Sequence, residues 1–498
     1  MRSPTTSTTT TPSVRTPRSV DGRPSRGWPK RVPQVCREYS KGRPLHFHSG
    51  FVCSVRALAR PGTTCQGRPL STVKVDRSIS AQTSAVASRL GILVGGGPAP
   101  GINGVIASAA IEAINSGCDV VGLIDGYRWL ARGETDHVRP LTIEDVSRIH
   151  FTGGSILRTS RTNPAKDEKS LANCVESLRK LGVTHLLCIG GDDTTFGAKK
   201  IAERAGGAVK VATVPKTIDN DLPLPDNMPS FGFETARAVG TAIVETLMED
   251  ARTTTRWYVV VSMGRKSGAL ALGICKASGA TLAVIPEEFG DGQVTLGAVT
   301  DIITGAMIKR RTMSHDHGVA VVAEGIAEHL GAADLDRLKD VTRDAYGHMR
   351  LADVDLGDVL RRTLEQTLSE YSLDITVVTK DIGYELRCAK PLPFDVEYAR
   401  TLGYGAVRYL LEGGSGALIA LRGGKVVPVD LNDLVDPATG KVRIRLVDTT
   451  TESYKVGREY MIRLAPDDLV EPQLSRLAST AGVGPDVFSE RFGPVARY

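Results

Sequence analysis

Short runs of apolar side chains recur through this chain, and most close on a polar or glycine-rich turn that leads into a stretch with helical spacing. Residues 90–94 run into the turn 95–101, then into a helical pattern over 102–115 that stops at Gly117. The same reading gives strands over 118–124, 184–189, 209–214, 257–261, 281–285, 318–323, 374–379 and 416–421. Helices are expected over 170–181, from the 190s through Ala205, and over 234–251, 267–277, 293–311, 356–371 and 395–412. Continuous apolar runs suit strands buried on both faces, and helices between them supply parallel crossovers. The pattern therefore predicts a parallel α/β architecture in more than one lobe.

At 498 residues the chain is long enough for two or three domains. No apolar run reaches membrane-spanning length, so no membrane partner is expected. The net charge of +6 is unevenly spread: residues 1–80 carry 15 Lys+Arg against 3 Asp+Glu, or +12, which leaves −6 for the rest. A mildly acidic body argues against a nucleic-acid partner. Residues 1–85 are rich in Ser, Thr, Pro, Arg and Gly without periodicity and read as a disordered basic tail. A transit peptide and translated upstream sequence are the other readings, and the lack of a compact apolar core near Met1 argues against secretion. The cysteines 36, 53, 65, 118, 174, 188, 275 and 388 form no C-x-x-C pair. Free thiols in a reducing, cytoplasmic setting are expected. His315 and His317 have a spacing that could hold a metal on a strand, but it more commonly marks a polar loop before one.

In an open α/β sheet ligands gather at the carboxyl ends of strands. The strand over 209–214 ends in Pro215-Lys216-Thr217-Ile218-Asp219-Asn220-Asp221. Two carboxylates beside an ammonium suit removal of a hydroxyl proton near phosphates, because one group accepts the proton and the other offsets developing charge. A solvated Asp-rich turn is the plain alternative. Gly95–Gly101 aims backbone N–H groups from a strand end toward a helix start, as phosphate sites do, yet it is neither Walker A nor a registered G-x-G-x-x-G. After residues 184–189 come Gly190-Gly191-Asp192-Asp193-Thr194. A carboxylate here could anchor Mg²⁺, which takes one or two carboxylates plus phosphate oxygens. Alternatively, Asp193 or Thr194 simply caps the helix.

In this order, Gly96-Gly97-Pro98-Ala99-Pro100-Gly101, Gly190–Asp193, Thr217–Asp221, Met263-Gly264-Arg265, Glu324-Gly325 and Gly383-Tyr384-Glu385-Leu386-Arg387 resemble the phosphofructokinase family. The resemblance runs from about Gly91 to about Leu421. It implies two Rossmann-like three-layer α/β/α lobes with mainly parallel sheets and an active site in the cleft between them. It implies that Asp219 is the general base toward the sugar 1-hydroxyl and that Asp192 anchors Mg²⁺. Gly96, Gly97 and Arg161 would contact the phosphoryl donor. Thr217, Asp221, Met263, Gly264, Arg265, Glu324, Tyr384 and Arg387 would bind fructose 6-phosphate, with Arg256 lent across a subunit interface of a homodimer or homotetramer. The implied lobes are 89–230 plus 391–445 for the donor and 231–390 for the sugar phosphate, with 446–498 as a C-terminal extension.

Asp193 and Lys216 stand where ATP-using members carry glycine, and the pair is similar to the pyrophosphate-dependent enzymes of the family. Asp193 adds bulk and negative charge where a nucleotide α-phosphate would lie. Lys216 can neutralise the departing phosphate. Tyr384 also fits the pyrophosphate-using pattern, whereas Pro98 and Arg158 depart from common family residues. The expectation is a Mg²⁺-dependent glycolytic phosphotransferase using pyrophosphate, with ATP use and a catalytically silent regulatory subunit as the rivals. Retention of Asp192, Asp219 and Asp221 weighs against a silent subunit.

Overall fold

The computed structural model describes residues 88–290, 292, 294–338, 355–439 and 441–498. The expected tail over 1–85 and Cys36, Cys53 and Cys65 lie outside the described residues. The chain begins with β1 (Arg89–Val94), α1 (Ile102–Asn115), β2 (Asp119–Leu123), β3 (Val138–Pro140), α2 (Glu168–Lys180), β4 (His185–Gly190) and α3 (Asp192–Ala205). It continues with β5 (Lys210–Thr217), the two-residue β6 (Phe231–Gly232), α4 (Phe233–Thr254), β7 (Trp257–Ser262), α5 (Ala269–Ser278) and β8 (Leu282–Val284). Next come α6 (Leu296–Thr312), β9 (Gly318–Ala323), α7 (Leu356–Glu370), β10 (Val377–Ile382), the single-turn α8 (Tyr384–Arg387) and α9 (Pro393–Leu411). A hairpin of β11 (Ala417–Arg422) and β12 (Lys425–Asp430) precedes α10 (Glu452–Glu459), α11 (Gln473–Ala481) and α12 (Pro485–Phe492).

Among the described residues, one sheet has the order β12-β11-β5-β4-β1-β2-β3, with β6 added beside β5. It is parallel except at its two edges, where β3 and β12 run antiparallel. The second sheet, β10-β7-β9-β8, is parallel throughout. In the first sheet, alternate residues of each strand serve opposite faces. Leu90, Ile92, Leu187 and Ile189 pack with Ile102, Ile106, Leu402 and Ala406 of α1 and α9. Leu93, Leu186 and Cys188 pack with Leu178, Ala198 and Ile201 of α2 and α3. Helices therefore cover both faces, which is why β4 has no exposed residue.

Some expected boundaries shift. The polar turn expected at Pro215 is still strand: β5 continues through Thr217 because β6 pairs with Lys216 and Thr217. Pairing with β11 has ended by Thr213, so Pro215 sits where that side of the strand is momentarily unpartnered. The strand expected over 374–379 lies at Val377–Ile382, in register with β7 from Trp257 onward. As a sheet edge it tolerates the polar Thr379, Lys380 and Asp381. The helix expected from 293 starts at Leu296, where the Thr295 hydroxyl caps the Ala298 N–H at 3.0 Å.

Residues 446–498 are not an outlying appendage. Tyr454, Met461, Leu464, Leu477, Phe488 and Phe492 share one core with Trp257 and Val319 of the second sheet. Their cover explains why α6 is buried on nearly every side from Leu296 to Ile308. Beneath them, the buried Arg463 guanidinium donates to Glu288 Oε1 at 2.7 Å and to the Ala283 carbonyl at 3.1 Å. The Tyr454 hydroxyl donates to the same carboxylate oxygen at 2.6 Å.

Candidate active site

The six motifs that run in order from Gly96 to Arg387 each lie at the carboxyl end of a strand. Gly95–Gly101 follows β1, Asp192 follows β4, and Thr217–Asp221 closes β5. Met263–Arg265 follows β7, Glu324 follows β9, and Gly383–Arg387 follows β10. Strand order reverses between β1 and β4, which opens a crevice at their ends. The two groups of strand ends meet: the Arg265 N–H approaches Asp219 Oδ2 at 3.4 Å, and the Arg265 guanidinium lies 3.8 Å from both Asp192 and Asp193.

One side of this space is cationic. Gly96 has φ +80°, and a Cβ there would lie 3.1 Å from Lys216 Nζ, so this turn needs glycine for its conformation and its close approach. The Lys216 ammonium donates to the Gly97 carbonyl at 2.5 Å. Burial pushes that ammonium down to about 8, and the neighbouring Arg387 and Arg161 push the same way against Asp219 and Asp221. Three cations bearing on one another around a glycine turn make a site for a multiply charged anion. Arg158 holds φ +56°, a backbone conformation that favours glycine.

The other side is acidic. Asp192 and Asp193 occupy the first turn of α3, with Gly191 at its cap and no side-chain cap bond, so neither Asp193 nor Thr194 serves as the N-cap. Lys266 Nζ lies 2.7 Å from Asp192 Oδ2. Burial works to raise the Asp192 carboxyl, but Lys266 and Arg265 together hold it below the usual carboxylate range. Asp221 is buried, its Oδ1 has no hydrogen-bond partner, and burial followed by the Asp192 and Asp219 charges raises it to about 7. Asp219 N–H donates to Thr217 Oγ1 at 3.0 Å, which closes the turn on itself.

The third wall comes from the second sheet. The Gly264 N–H donates to Glu324 Oε1 at 3.0 Å, and burial raises that carboxyl to about 7. Gly264 holds φ +148°, which suits glycine alone. Met263, Glu324, Gly383 and Tyr384 line one cavity with Asp381 and Leu356. Tyr384 is 66 % exposed, and the Arg387 guanidinium sits 5.1 Å from its ring centroid.

Arg256 is the one expected site residue that a single chain does not bring in. It precedes β7 at Trp257, whereas Met263 follows the strand's other end. Its buried Nε has no hydrogen-bond partner. Two residues escaped the sequence reading. Lys266 directly follows the Met-Gly-Arg motif, and that adjacency was its signal. Arg445 lies far along the chain and had none: its Nε donates to the Asn220 carbonyl at 3.0 Å and its Nη1 to the Met228 carbonyl at 2.9 Å. His317 sits in a loop against Arg310, whose Nε donates to its carbonyl at 2.6 Å.

The oxygens suited to a divalent cation are those of Asp192 and the unpartnered Oδ1 of Asp221. Among the described residues no set of three His, Cys, Asp or Glu side chains is gathered around one point. A hard cation here would complete its shell with phosphate oxygens and water, the usual habit of Mg²⁺. No helix of the described residues is long and apolar enough to cross a membrane.

The phosphofructokinase family profile matches residues 89–410. The chain is 52% identical over 413 residues to pyrophosphate–fructose 6-phosphate 1-phosphotransferase of Thermotoga maritima, covering 82% of this chain and 98% of that one. It is 48% identical over 413 residues to the protein of the same name from Naegleria fowleri, covering 81% and 94%. A solved structure of pyrophosphate-dependent phosphofructokinase from Nitrosospira multiformis superposes with a TM-score of 0.57 at 16% identity, over 83% of this chain and 93% of that one, and so shares the fold.

Proposed function

The chain belongs to the phosphofructokinase family, and we propose that it moves a phosphoryl group reversibly from pyrophosphate to the 1-hydroxyl of fructose 6-phosphate, giving fructose 1,6-bisphosphate and orthophosphate. The observation that carries this reading is Lys216 reaching back from β5 to the Gly97 carbonyl beside Arg161 and Arg387, with Asp193 in the first turn of α3. That arrangement offers cations to a short, highly charged donor and places a carboxylate where a nucleotide would continue.

Phosphoryl transfer is mostly positioning and charge stabilisation. Asp219 takes the 1-hydroxyl proton as the sugar oxygen bonds to phosphorus and the bridging P–O bond of pyrophosphate breaks. Lys216 and Arg161 offset the charge gathering on the departing phosphate, and Gly96 and Gly97 present backbone to it. Arg265 and Arg387 suit the sugar phosphate because guanidinium pairs with phosphate in two-pronged fashion. Thr217, Asp221, Met263, Gly264, Glu324 and Tyr384 complete the sugar pocket. Asp192, with the Oδ1 of Asp221 that lacks a hydrogen-bond partner, would hold Mg²⁺, which would supply Lewis-acid neutralisation of phosphoryl charge. Arg256 stands at the end of β7 away from Met263, and a reach to the sugar phosphate of a second copy in a homodimer or homotetramer would accommodate that placement. The described cysteines are all free, in keeping with a cytoplasmic glycolytic role.

Steady-state assays of purified protein with Mg²⁺, fructose 6-phosphate and either donor test this. Pyrophosphate should give a kcat/KM well above that for ATP. A preference for ATP overturns the donor assignment, and binding of sugar phosphate without turnover of either donor points to a regulatory subunit.

A further inference from the structure

The turn carrying Asp219 and Asp221 is gripped by a residue beyond the stretch that matches the family profile, which ends at residue 410. After β12 the chain leaves the first sheet, where Leu434 and Val442 pack with Leu222 and Leu418, and crosses to the second, where Tyr454 joins the core. Arg445 lies on that crossing. Its backbone N–H donates to the Asp221 carbonyl at 2.8 Å. Its guanidinium donates to the Asn220 carbonyl at 3.0 Å, to the Met228 carbonyl at 2.9 Å, and to the Asn220 side-chain oxygen. That same oxygen accepts the Ser230 N–H at 3.1 Å.

Asn220 stands between the two carboxylates and has φ +57°. Asparagine tolerates this left-handed conformation better than most residues with a side chain, but at a cost relative to the right-handed region, so contacts to its carbonyl and side chain decide whether it is held. The planar fork of Arg445 meets both the carbonyl and the side chain of Asn220, so it supplies those contacts. A change in the Asn220 backbone would swing Asp219 and Asp221 together, because each is joined to it directly.

We propose that Arg445 is a positioning residue for the phosphoryl-transfer step: by clamping Asn220 it sets where the Asp219 and Asp221 carboxylates point, and it makes the geometry of the base depend on the C-terminal crossing. The proposal rests on the reading of Asp219 as the base. Lysine retains the charge at 445 but cannot reproduce three divergent donors in one plane. A misplacement of reacting groups by about 1 Å costs on the order of 10²-fold in rate.

The test compares wild type, Arg445→Lys and Arg445→Met for kcat, KM for each substrate, melting temperature, and deuterium uptake of the peptide containing residues 217–228. In Arg445→Lys, kcat should fall by roughly 10- to 10²-fold, with a smaller rise in KM for fructose 6-phosphate, because Asp221 also lines the sugar pocket, and with little change in melting temperature. Deuterium uptake over 217–228 should rise. A residue that merely anchored the C-terminal segment would lower the melting temperature and leave kcat of the folded fraction intact, and that result overturns the proposal. Where Arg445→Met does not fold, Arg445→Lys alone decides. The ratio of variant to wild-type kcat is read with whichever donor wild type uses, so an error in the donor assignment does not obscure the outcome. In a chain that turns over neither donor, unchanged uptake over 217–228 in Arg445→Lys overturns the clamp by itself.

Discussion

Lys266 Nζ lies 2.7 Å from Asp192 Oδ2, so an ammonium from the turn after β7 closes on a carboxylate at the start of α3. The two sheets are thereby joined at the point where a divalent cation would bind. Lys266 neutralises the Asp192 carboxylate, and if Asp192 anchors Mg²⁺ as proposed, the ammonium would compete with the cation. Lys266→Met should tighten Mg²⁺ binding to the unliganded protein by on the order of tenfold, since removing an opposite charge frees the carboxylate. Calorimetric titration with Mg²⁺ reads this directly. Unchanged or weaker binding would show that the lysine does not compete at Asp192.

Asp219→Asn keeps the shape of the side chain and removes its capacity to take a proton. Loss of a general base lowers rate by about 10²–10⁴. The variant should lose kcat by that order while its affinity for fructose 6-phosphate stays within several-fold. Near-normal turnover would assign the base elsewhere in the site.

Donor choice should follow two positions. Lys216→Gly removes the ammonium that bridges to Gly97 and should cost about 10²–10³ in pyrophosphate turnover. Asp193→Gly should relieve exclusion of nucleotide and raise the ratio of ATP to pyrophosphate activity. Because both act on one phosphate chain, the double variant should be non-additive. An unaltered donor ratio in Asp193→Gly would remove that residue from the account of specificity.

The site should make unliganded stability depend on pH. Asp221 and Glu324 titrate near 7 in the fold, above the ordinary carboxylate range, because they are buried. Between that range and about pH 7 the folded state binds more protons than the unfolded one, so their contribution falls as pH rises through the window. The slope is at most about 1.4 kcal/mol per pH unit for each group. His185 and His317, held low by burial, act in the opposite sense. Lys216 titrates near 8, so its cost is already complete below that pH and constant across the window. Comparing Asp221→Asn with wild type isolates the effect: melting temperatures from pH 5 to 8 should decline less steeply in the variant. Parallel curves would contradict the assignment.

Glu288 and Arg463 are 2% and 1% exposed, and their pairing ties the C-terminal segment to the second sheet. Glu288→Ala leaves a buried guanidinium without its counter-ion, at a cost of about 3–5 kcal/mol. Denaturant titration should show that loss in the midpoint. A change below about 1 kcal/mol would mean that water reaches Arg463 in the variant.

Much of the fold was legible because its signals are local. Apolar runs such as Ile92-Leu93-Val94 and Val319–Val322, bounded by glycine, need no distant information to read as buried strands. The edges were harder to read. β10 carries Thr379, Lys380 and Asp381 because, among the described residues, one flank has no strand neighbour, and its pairing with β7 sets its register. β5 reaches Thr217 because Phe231 and Gly232 return to pair with it, a contact that no property of residues 215–217 announces.

The sequence by itself determined which turns would stand at strand ends and which side chains they would carry, because strand, turn and helix are specified over a dozen residues by periodicity and by glycine and aspartate placement. Tertiary structure decided what faces what. Lys216 meets Gly97 across 119 positions, Lys266 meets Asp192 across 74, and Arg445 meets Asn220 across 225. It also left Arg256 at the far end of β7 from Met263. Such pairings depend on strand order and on the path of each crossing, which arise from burial summed over the whole chain, and a hydrogen bond between two distant residues leaves no periodic trace in either segment.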